Sequence, residues 1–454
     1  MFSFVDLFAG IGGFHATLGA VHGGRAAFAS EWDKPAAEVY RRNWGLAPKG
    51  DIVPLTDPVV TVPAHDVLAA GFPCQPFSKS GFQRGINETR GTLFFNIMKV
   101  LHEQRPTVVL LENVRNLAGP RHRDTWATIV DQLQMAGYKV SSAPTVFSPH
   151  LLPPHLGGRP QIRERVFITA TYVGSEERAR ALSTKEPVVA RGPIGGWDPQ
   201  EWDIYETALG HDGRSIVRPE AETSDRADYV LSEFDEYVVS VWDEFVARLR
   251  AAGVRRLPGF PIWADHFVTE DMLQIEPDVP TWKADFLRKN SALYTAHKVT
   301  IDEWLDQHGG LRELPASRRK LEWQAQDATS LADTVMHMRP SGLRAKKPTY
   351  LPALVAITQT SILGSRGRRL TPREAARLQG LPEWFDFGPQ RDALTYKQLG
   401  NGVNVGAASY VFRTHVQQDA ALIAERAPGI VEAVERTPDN PDESLGERRE
   451  RAAA

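Results

Sequence analysis

The sequence predicts an α/β protein built on a doubly wound sheet, and three observations carry that expectation. Short apolar runs recur along the first 170 residues, each followed by a stretch with helical spacing. The first run, at residues 2–7, leads into a glycine turn, A-G-I-G-G. Several runs end abruptly in polar residues: Glu31 after 26–29, Cys74 after 67–70 and Glu112 after 107–111. In open α/β sheets that C-terminal edge is where ligands bind.

Taken in order, residues 2–13 (F-S-F-V-D-L-F-A-G-I-G-G) read as a strand entering a turn, with a helix from about Phe14 to Leu18. Gly10, Gly12 and Gly13 let the backbone approach a ligand closely. A dinucleotide fingerprint would need glycine where His15 stands, which disfavours a plain NAD or FAD site. Glu31, about twenty residues after the turn, is placed to hold a ribose hydroxyl, and Trp32 to lie against a purine. Asp51, in G-D-I, is suited to accept from an exocyclic amine.

The stretch G-F-P-C-Q-P-F-S-K-S-G (71–81) holds the only cysteine of 454 residues. Prolines on both sides stiffen the loop, so Cys74 is presented rather than packed. The polar Ser78–Gly91 segment reads as a lid. A helix from about Thr92 to Gln104 ends at Pro106, and another spans roughly Asp124–Ala136. Glu112, just after an apolar run, is expected to be desolvated and to hold a proton near neutrality. In Q-I-R-E-R-V-F-I, period two puts Arg163 and Arg165 on one strand face, lining a site.

The character changes after Gly174. Residues 175–330 are rich in Asp, Glu, Pro and Trp, with one clear helix at about Ala227–Arg250 whose stripe of Leu231, Phe234, Val238, Val241, Trp242, Phe245 and Leu249 predicts core packing. Basic residues cluster from Arg339 to Arg377, suited to phosphates. T-P-R-E at 371–374 is a helix start, and Q-L-G-N-G-V-N-V (398–405) is a tight turn before a helix reaching about Gln418. The expected organisation is a first domain over 1–174, an inserted domain over 175–345, a return over 346–425 and a disordered tail over 426–454.

Composition narrows the classes. One cysteine excludes an internal disulfide framework and any multi-cysteine zinc site, which suits a reducing cytoplasm. No apolar run approaches the roughly 18 residues needed to span a membrane. The net charge of -3 means that any nucleic-acid site must be a local basic surface.

Eight blocks in order then resemble the cytosine-C5 DNA methyltransferases: D-L-F-A-G-I-G-G, E-W at 31, G-D-I at 50, G-F-P-C-Q-P-F-S, E-N-V at 112, Q-I-R-E-R, R-R-L-T-P-R-E-A-A-R-L-Q-G-L-P and Q-L-G-N-G-V-N-V. The resemblance implies a doubly wound S-adenosylmethionine-dependent methyltransferase sheet with a smaller inserted target-recognition domain. It implies that Phe8, Gly10, Gly12, Glu31, Trp32, Asp51, Asn401 and Val403 contact S-adenosylmethionine. It further implies a Cys74 thiolate that adds to C6 of cytosine, Glu112 acting at N3 and the amino group, and Arg163 and Arg165 at the base O2. Pro73, Gln75, Ser78 and Arg90 would face the flipped base and double-stranded DNA. The enzyme would need no metal, work as a cytoplasmic monomer and be functionally paired with a restriction endonuclease. A tRNA methyltransferase with the same motifs and a catalytically silent DNA-binding homologue stay as rival readings; the large insertion speaks against the first and intact Cys74, Glu112, Arg163 and Arg165 against the second.

Overall fold

A computed structural model describes residues 1–73, 93–209, 213–219, 226–354 and 360–446. The chain divides into two compact units. The first comprises Met1–Ile216, Pro352–Ile357 and Pro372–Ala454; the second comprises Val217–Leu351 and Thr358–Thr371.

The first unit is organised on a seven-stranded sheet. Its strands are β1 (Phe2–Leu7), β2 (Gly24–Ser30), β3 (Val67–Gly71), β4 (Val108–Val114), β5 (Tyr138–Val140), β6 (Thr145–Phe147) and β8 (Arg165–Tyr172), in the order β2-β1-β3-β4-β8-β5, with β6 also on β8. The two-residue strand β7 (Gln161–Ile162) lies outside this sheet. Strands β2, β1, β3 and β4 are parallel, while β8 runs antiparallel to β4. Order therefore reverses at β1: the chain moves to β2 on one side and returns to β3 on the other. That switch point opens a crevice at the strands' C-terminal ends.

Apart from Ser3 and Asp6 on β1 and Glu112 and Asn113 at the end of β4, the central strands are apolar because both faces are covered. Val5, Leu7, Leu68, Val109 and Leu111 pack on one side with Phe94, Ile97 and Leu101 of the helix Leu93–Gln104 and Ile129 and Leu133 of the helix Arg123–Met135. Phe4, Val67, Ala69, Val108 and Leu110 pack on the other with Phe14 and Leu18 of the helix Gly13–Gly19 and Val411 and Phe412 of the helix Val405–Gln418. The sheet is thus wound on both faces, as the sequence predicts.

Three expectations are corrected. The first unit does not end at 174, because Val189, Trp202 and Ile204 are buried in it. The tail is not disordered from 426: Pro428–Arg436 is a helix whose Ile430, Ala433 and Val434 pack in the same cluster as Phe4 and Val411, and Leu445 is fully buried. Arg163 and Arg165 do not share a strand face, since Arg163 lies between β7 and β8.

The second unit has its own core. Val238, Val241, Trp242, Phe245 and Leu249 of the helix Glu233–Ala251 pack with Leu321, Trp323, Met336, Met338 and Leu343. Phe234, at the start of the stripe, is instead exposed. The sheet runs from Arg368–Arg369 through Ile362–Leu363 to β11 (Val335–Arg339), β12 (Gly342–Lys346), β10 (Lys320–Gln324) and β9 (Ile262–Trp263). Buried indoles are satisfied by carbonyls: Trp242 Nε1 donates to Arg318 at 2.8 Å and Trp304 Nε1 to Val241 at 2.9 Å.

Candidate active site

The glycine turn follows β1 directly. Phe8 has φ 56°, a left-handed conformation that is costly for an aromatic residue and is held here by the surrounding turn. Ala9 N–H donates to the Ser30 carbonyl at 2.9 Å, tying the turn to the end of β2. Gly12 has φ 93°, and a Cβ there would stand 2.1 Å from Trp44 Nε1, the atom that donates to the Ile11 carbonyl at 3.1 Å. A Cβ on Gly13 would meet Val403 Cγ1 at 2.6 Å, so the turn before Val405–Gln418 closes on the first helix. Gly10 faces open space.

Glu31 joins this turn. One carboxylate oxygen accepts from Gly10 N–H and the other from Asp33 N–H, each at 2.8 Å. Burial raises its pKa, and these N–H donors oppose the rise. Trp32 beside it is 80% exposed, an indole with no packing role. Lys49 N–H donates to the Ala29 carbonyl at 2.9 Å, bringing the 49–51 segment to the end of β2. Asp51 itself is exposed and caps a short helix through Val53 N–H at 3.0 Å. Asn401 is exposed at the end of the helix Asp392–Asn401, while Val403 is buried.

The second cluster lies at the C-terminal ends of β3 and β4. Glu112 falls inside β4, in register with Gly71 on β3. It is largely buried and makes an ion pair with Arg165 on β8, Nε to Oε1 at 2.9 Å. Burial raises its pKa despite Arg165 and Arg163, which pull it down. The carboxyl therefore keeps its proton to a higher pH than an exposed glutamate does. Asn113 Nδ2 donates to the Phe72 carbonyl at 2.8 Å, fixing the chain one residue before Pro73, which is exposed. Cys74, Gln75, Ser78 and Arg90 lie outside the described residues.

Arg163 departs from expectation most. It is 2% exposed, and its guanidinium donates to three main-chain carbonyls: Leu354 at 2.9 Å, Gly400 at 2.8 Å and Gly402 at 2.6 Å. Burial and Arg165 pull its pKa down to about 9, which leaves it charged at neutral pH. So Arg163 clamps the turn that carries Asn401, and Arg165 is the one of the two that makes the ion pair with Glu112.

Four further side chains support the two clusters. Asn113 was visible only as part of E-N-V. Trp44 stacks on the His15 ring, centroids 4.4 Å apart, with His15 Nδ1 2.8 Å from the Tyr40 hydroxyl. That histidine, noted only as a departure from a glycine pattern, is a buried brace of the turn. Asp6, wholly buried on β1, carries a carboxyl that burial pushes well above the ordinary range; its place among apolar strand residues was the available signal.

Two clusters at the switch-point edge, one around a glycine turn and one around a buried acid–arginine pair, place the protein among the doubly wound α/β proteins with a polar binding edge there. The chain belongs to the C-5 cytosine-specific DNA methylase family, whose model matches residues 2–233 and 256–417. It is accordingly a DNA cytosine-5-methyltransferase. It is 46% identical to the Type II methyltransferase M.AluI of Cellulosimicrobium cellulans, across 98% of this chain and 98% of that protein. Identity to the Type II methyltransferase M.BanI of Aneurinibacillus aneurinilyticus is 29%, across 92% and 96%. A shorter match, 41% over 36% of this chain and 47% of the other, links it to M.HhaI of Haemophilus parahaemolyticus. Among the described residues no helix is long and apolar enough to cross a membrane.

Proposed function

We infer that the chain methylates C5 of a specific cytosine in double-stranded DNA through a covalent Cys74–C6 adduct, as the modification enzyme of a restriction-modification system. The observation that carries this reading is the Glu112–Arg165 pair, set across β4 and β8 and in register with the strand that leads to Pro73 and Cys74.

Carbon 5 of cytosine is a weak nucleophile. Addition of the Cys74 thiolate to C6 forms an S–C bond and moves the C5=C6 pair toward C5. Negative charge that would otherwise build on the ring is met at N3 by the proton of Glu112, whose raised pKa suits it to hold one. Arg165 orients that carboxyl and offers its remaining N–H groups to the base O2. After C5 has been methylated, loss of its proton to a base restores the double bond as the C6–S bond breaks and the thiolate departs, and the N3 proton returns to Glu112. The target must leave the helix stack to meet Cys74, at a cost of a few kcal/mol.

The residues at the glycine turn fit S-adenosylmethionine: open space above Gly10, a buried carboxylate in Glu31 and an exposed indole in Trp32. That cofactor supplies the electrophilic methyl group. Phe8, Gly10, Gly12, Glu31, Trp32, Asp51, Asn401 and Val403 would hold it, with the Asn401 turn kept in place by Arg163. The second unit, together with flanking residues of the 175–345 insertion, would read the DNA sequence.

The test is a duplex carrying 5-fluorocytosine at the target position, incubated with protein and S-adenosylmethionine. Fluorine cannot leave C5 as a proton does, so the expected product is a protein–DNA adduct stable to denaturation. Protein that methylates normal DNA yet gives no adduct would overturn the thiolate step.

A further inference from the structure

The sheet of the second unit has two unlike faces. Leu321, Trp323, Met336, Met338, Leu343 and Ala345 are buried in the core. They alternate with Lys320, Glu322, His337, Arg339, Arg344 and Lys346, which period two places on the opposite face. Register assembles these into a patch. Glu322 pairs with Arg344, and Arg344 with His337, making one row across three strands. Lys346 lies two residues along β12 from Arg344, Arg339 two along β11 from His337, and Lys320 two along β10 from Glu322. Gly342 at φ 138° makes the approach possible, because a Cβ there would meet the Lys320 carbonyl at 2.7 Å.

Among the described residues of β10, β11 and β12, four cations thus share this face with one carboxylate, while Arg369 beside them is paired with Asp235, in a chain whose net charge is -3. Their field shows on His337, whose pKa falls to about 3, first through burial and then through Arg339, Arg344, Lys346 and Arg369. Lys346 is lowered to about 8 by burial and by Arg344. A packed structural ion pair would need Glu322 and Arg344 alone; Lys346 and Lys320 lie over the rings of Tyr350 and Trp263, at 3.8 and 5.9 Å, contacts that leave their net charge in place. The surplus positive charge is held together at a cost that a polyanion relieves.

Arg344 differs from its neighbours. Its Nε and Nη2 both approach Glu322 Oε2, at 2.6 and 2.5 Å, while Ser341 Oγ donates to Oε1 at 3.2 Å. Its Nη1 has no partner among the described residues. The guanidinium plane is therefore fixed before any ligand arrives, which lowers the ordering cost of a planar contact.

Resting on the reading of the chain as a DNA methyltransferase, we propose that this face holds duplex DNA, with Arg344 reading the major-groove edge of a guanine and Lys320, Arg339 and Lys346 meeting phosphates. An arginine paired to O6 and N7 is the commonest base-specific contact, and lysines act on phosphate as point charges. Glu322 is a positioning residue that aims Arg344.

The experiment uses the full-length protein and short duplexes containing, or altered at single base pairs within, the site mapped by methylation of the wild type. Lys320→Gln, Arg339→Gln and Lys346→Gln are each expected to weaken binding equally to all duplexes and to lower the slope of log affinity against log salt by about 0.9. Arg344→Lys keeps the charge but loses the fork. It is expected to lose about 10- to 100-fold in discrimination at one G·C pair while methylation spreads to sites altered there. Glu322→Gln should give part of the same loss with its thermal midpoint near that of the wild type. Variants that keep wild-type discrimination and salt slope would overturn the proposal. Failure of the underlying function would appear elsewhere, as wild-type protein that leaves no 5-methylcytosine in any DNA.

Discussion

Arg165 Nε stands 2.9 Å from Glu112 Oε1, and the two side chains reach each other diagonally across antiparallel strands β4 and β8, where Val114 is the residue opposite Arg165. Burial raises the Glu112 pKa against the pull of Arg165, and the arginine keeps the carboxyl aimed. The pH dependence follows from that balance. A raised pKa means the protonated form persists above the usual carboxylate range and is lost as pH climbs through it. The rate of the chemical step is expected to fall on that alkaline limb. Glu112→Gln should cost about 10²- to 10⁴-fold in single-turnover rate and abolish the limb, with S-adenosylmethionine affinity retained in calorimetry. Loss of cofactor binding instead would move Glu112 to the other cluster.

Arg163 and Arg165, two residues apart, are expected to fail differently. Arg163→Ala leaves the Leu354, Gly400 and Gly402 carbonyls without their donor, at a cost of about 1–3 kcal/mol for each group left buried. Denaturant unfolding should show the loss, and cofactor affinity should drop with the Asn401 turn. Arg165→Ala should unfold near the wild-type midpoint while turnover collapses. Equal stability of the two variants would contradict the assignment of Arg163 as a clamp.

Gly12→Ala tests the turn. The added methyl meets Trp44 Nε1 and the φ of 93° disfavours any side chain, so a destabilisation of about 1–3 kcal/mol is expected, with weakened cofactor binding. Near-normal stability in thermal unfolding would mean that Trp44 moves freely, contrary to its bond with Ile11.

Trp32→Ala makes the converse case. An indole 80% exposed contributes little to folding, so stability should change by no more than about 0.5 kcal/mol. If the ring lies on the purine, affinity for S-adenosylmethionine should fall by about 0.5–1.5 kcal/mol, read by titration calorimetry. Unchanged affinity would remove Trp32 from the cofactor site.

The core of the first unit was legible because buried parallel strands leave continuous apolar runs, as at Val67–Ala70 and Val108–Leu111. The polar residues ending those runs marked the functional edge for the same reason. Period two places Arg163 beside Arg165 only in an unbroken strand, and here the strand is interrupted between Ile162 and Arg165. The partners of Arg163 at Gly400 and Gly402 stand 237 and 239 positions away, a separation that no local pattern reveals. The helix Pro428–Arg436 was missed for a different cause. Ile430, Ala433 and Val434 have helical spacing, but the charged residues after them made the segment read as solvated. Residues 175–216 carry no strand–helix alternation, so their attachment to the first unit depends on single large anchors such as Trp202.

Bisulfite sequencing of DNA from cells expressing this protein reads target and product together, and a matched Cys74→Ala culture controls for the host. The account predicts 5-methylcytosine at one short recurring sequence with the wild type and none above background with Cys74→Ala. Methylation that persists undiminished in Cys74→Ala, or wild-type DNA without 5-methylcytosine, would contradict it.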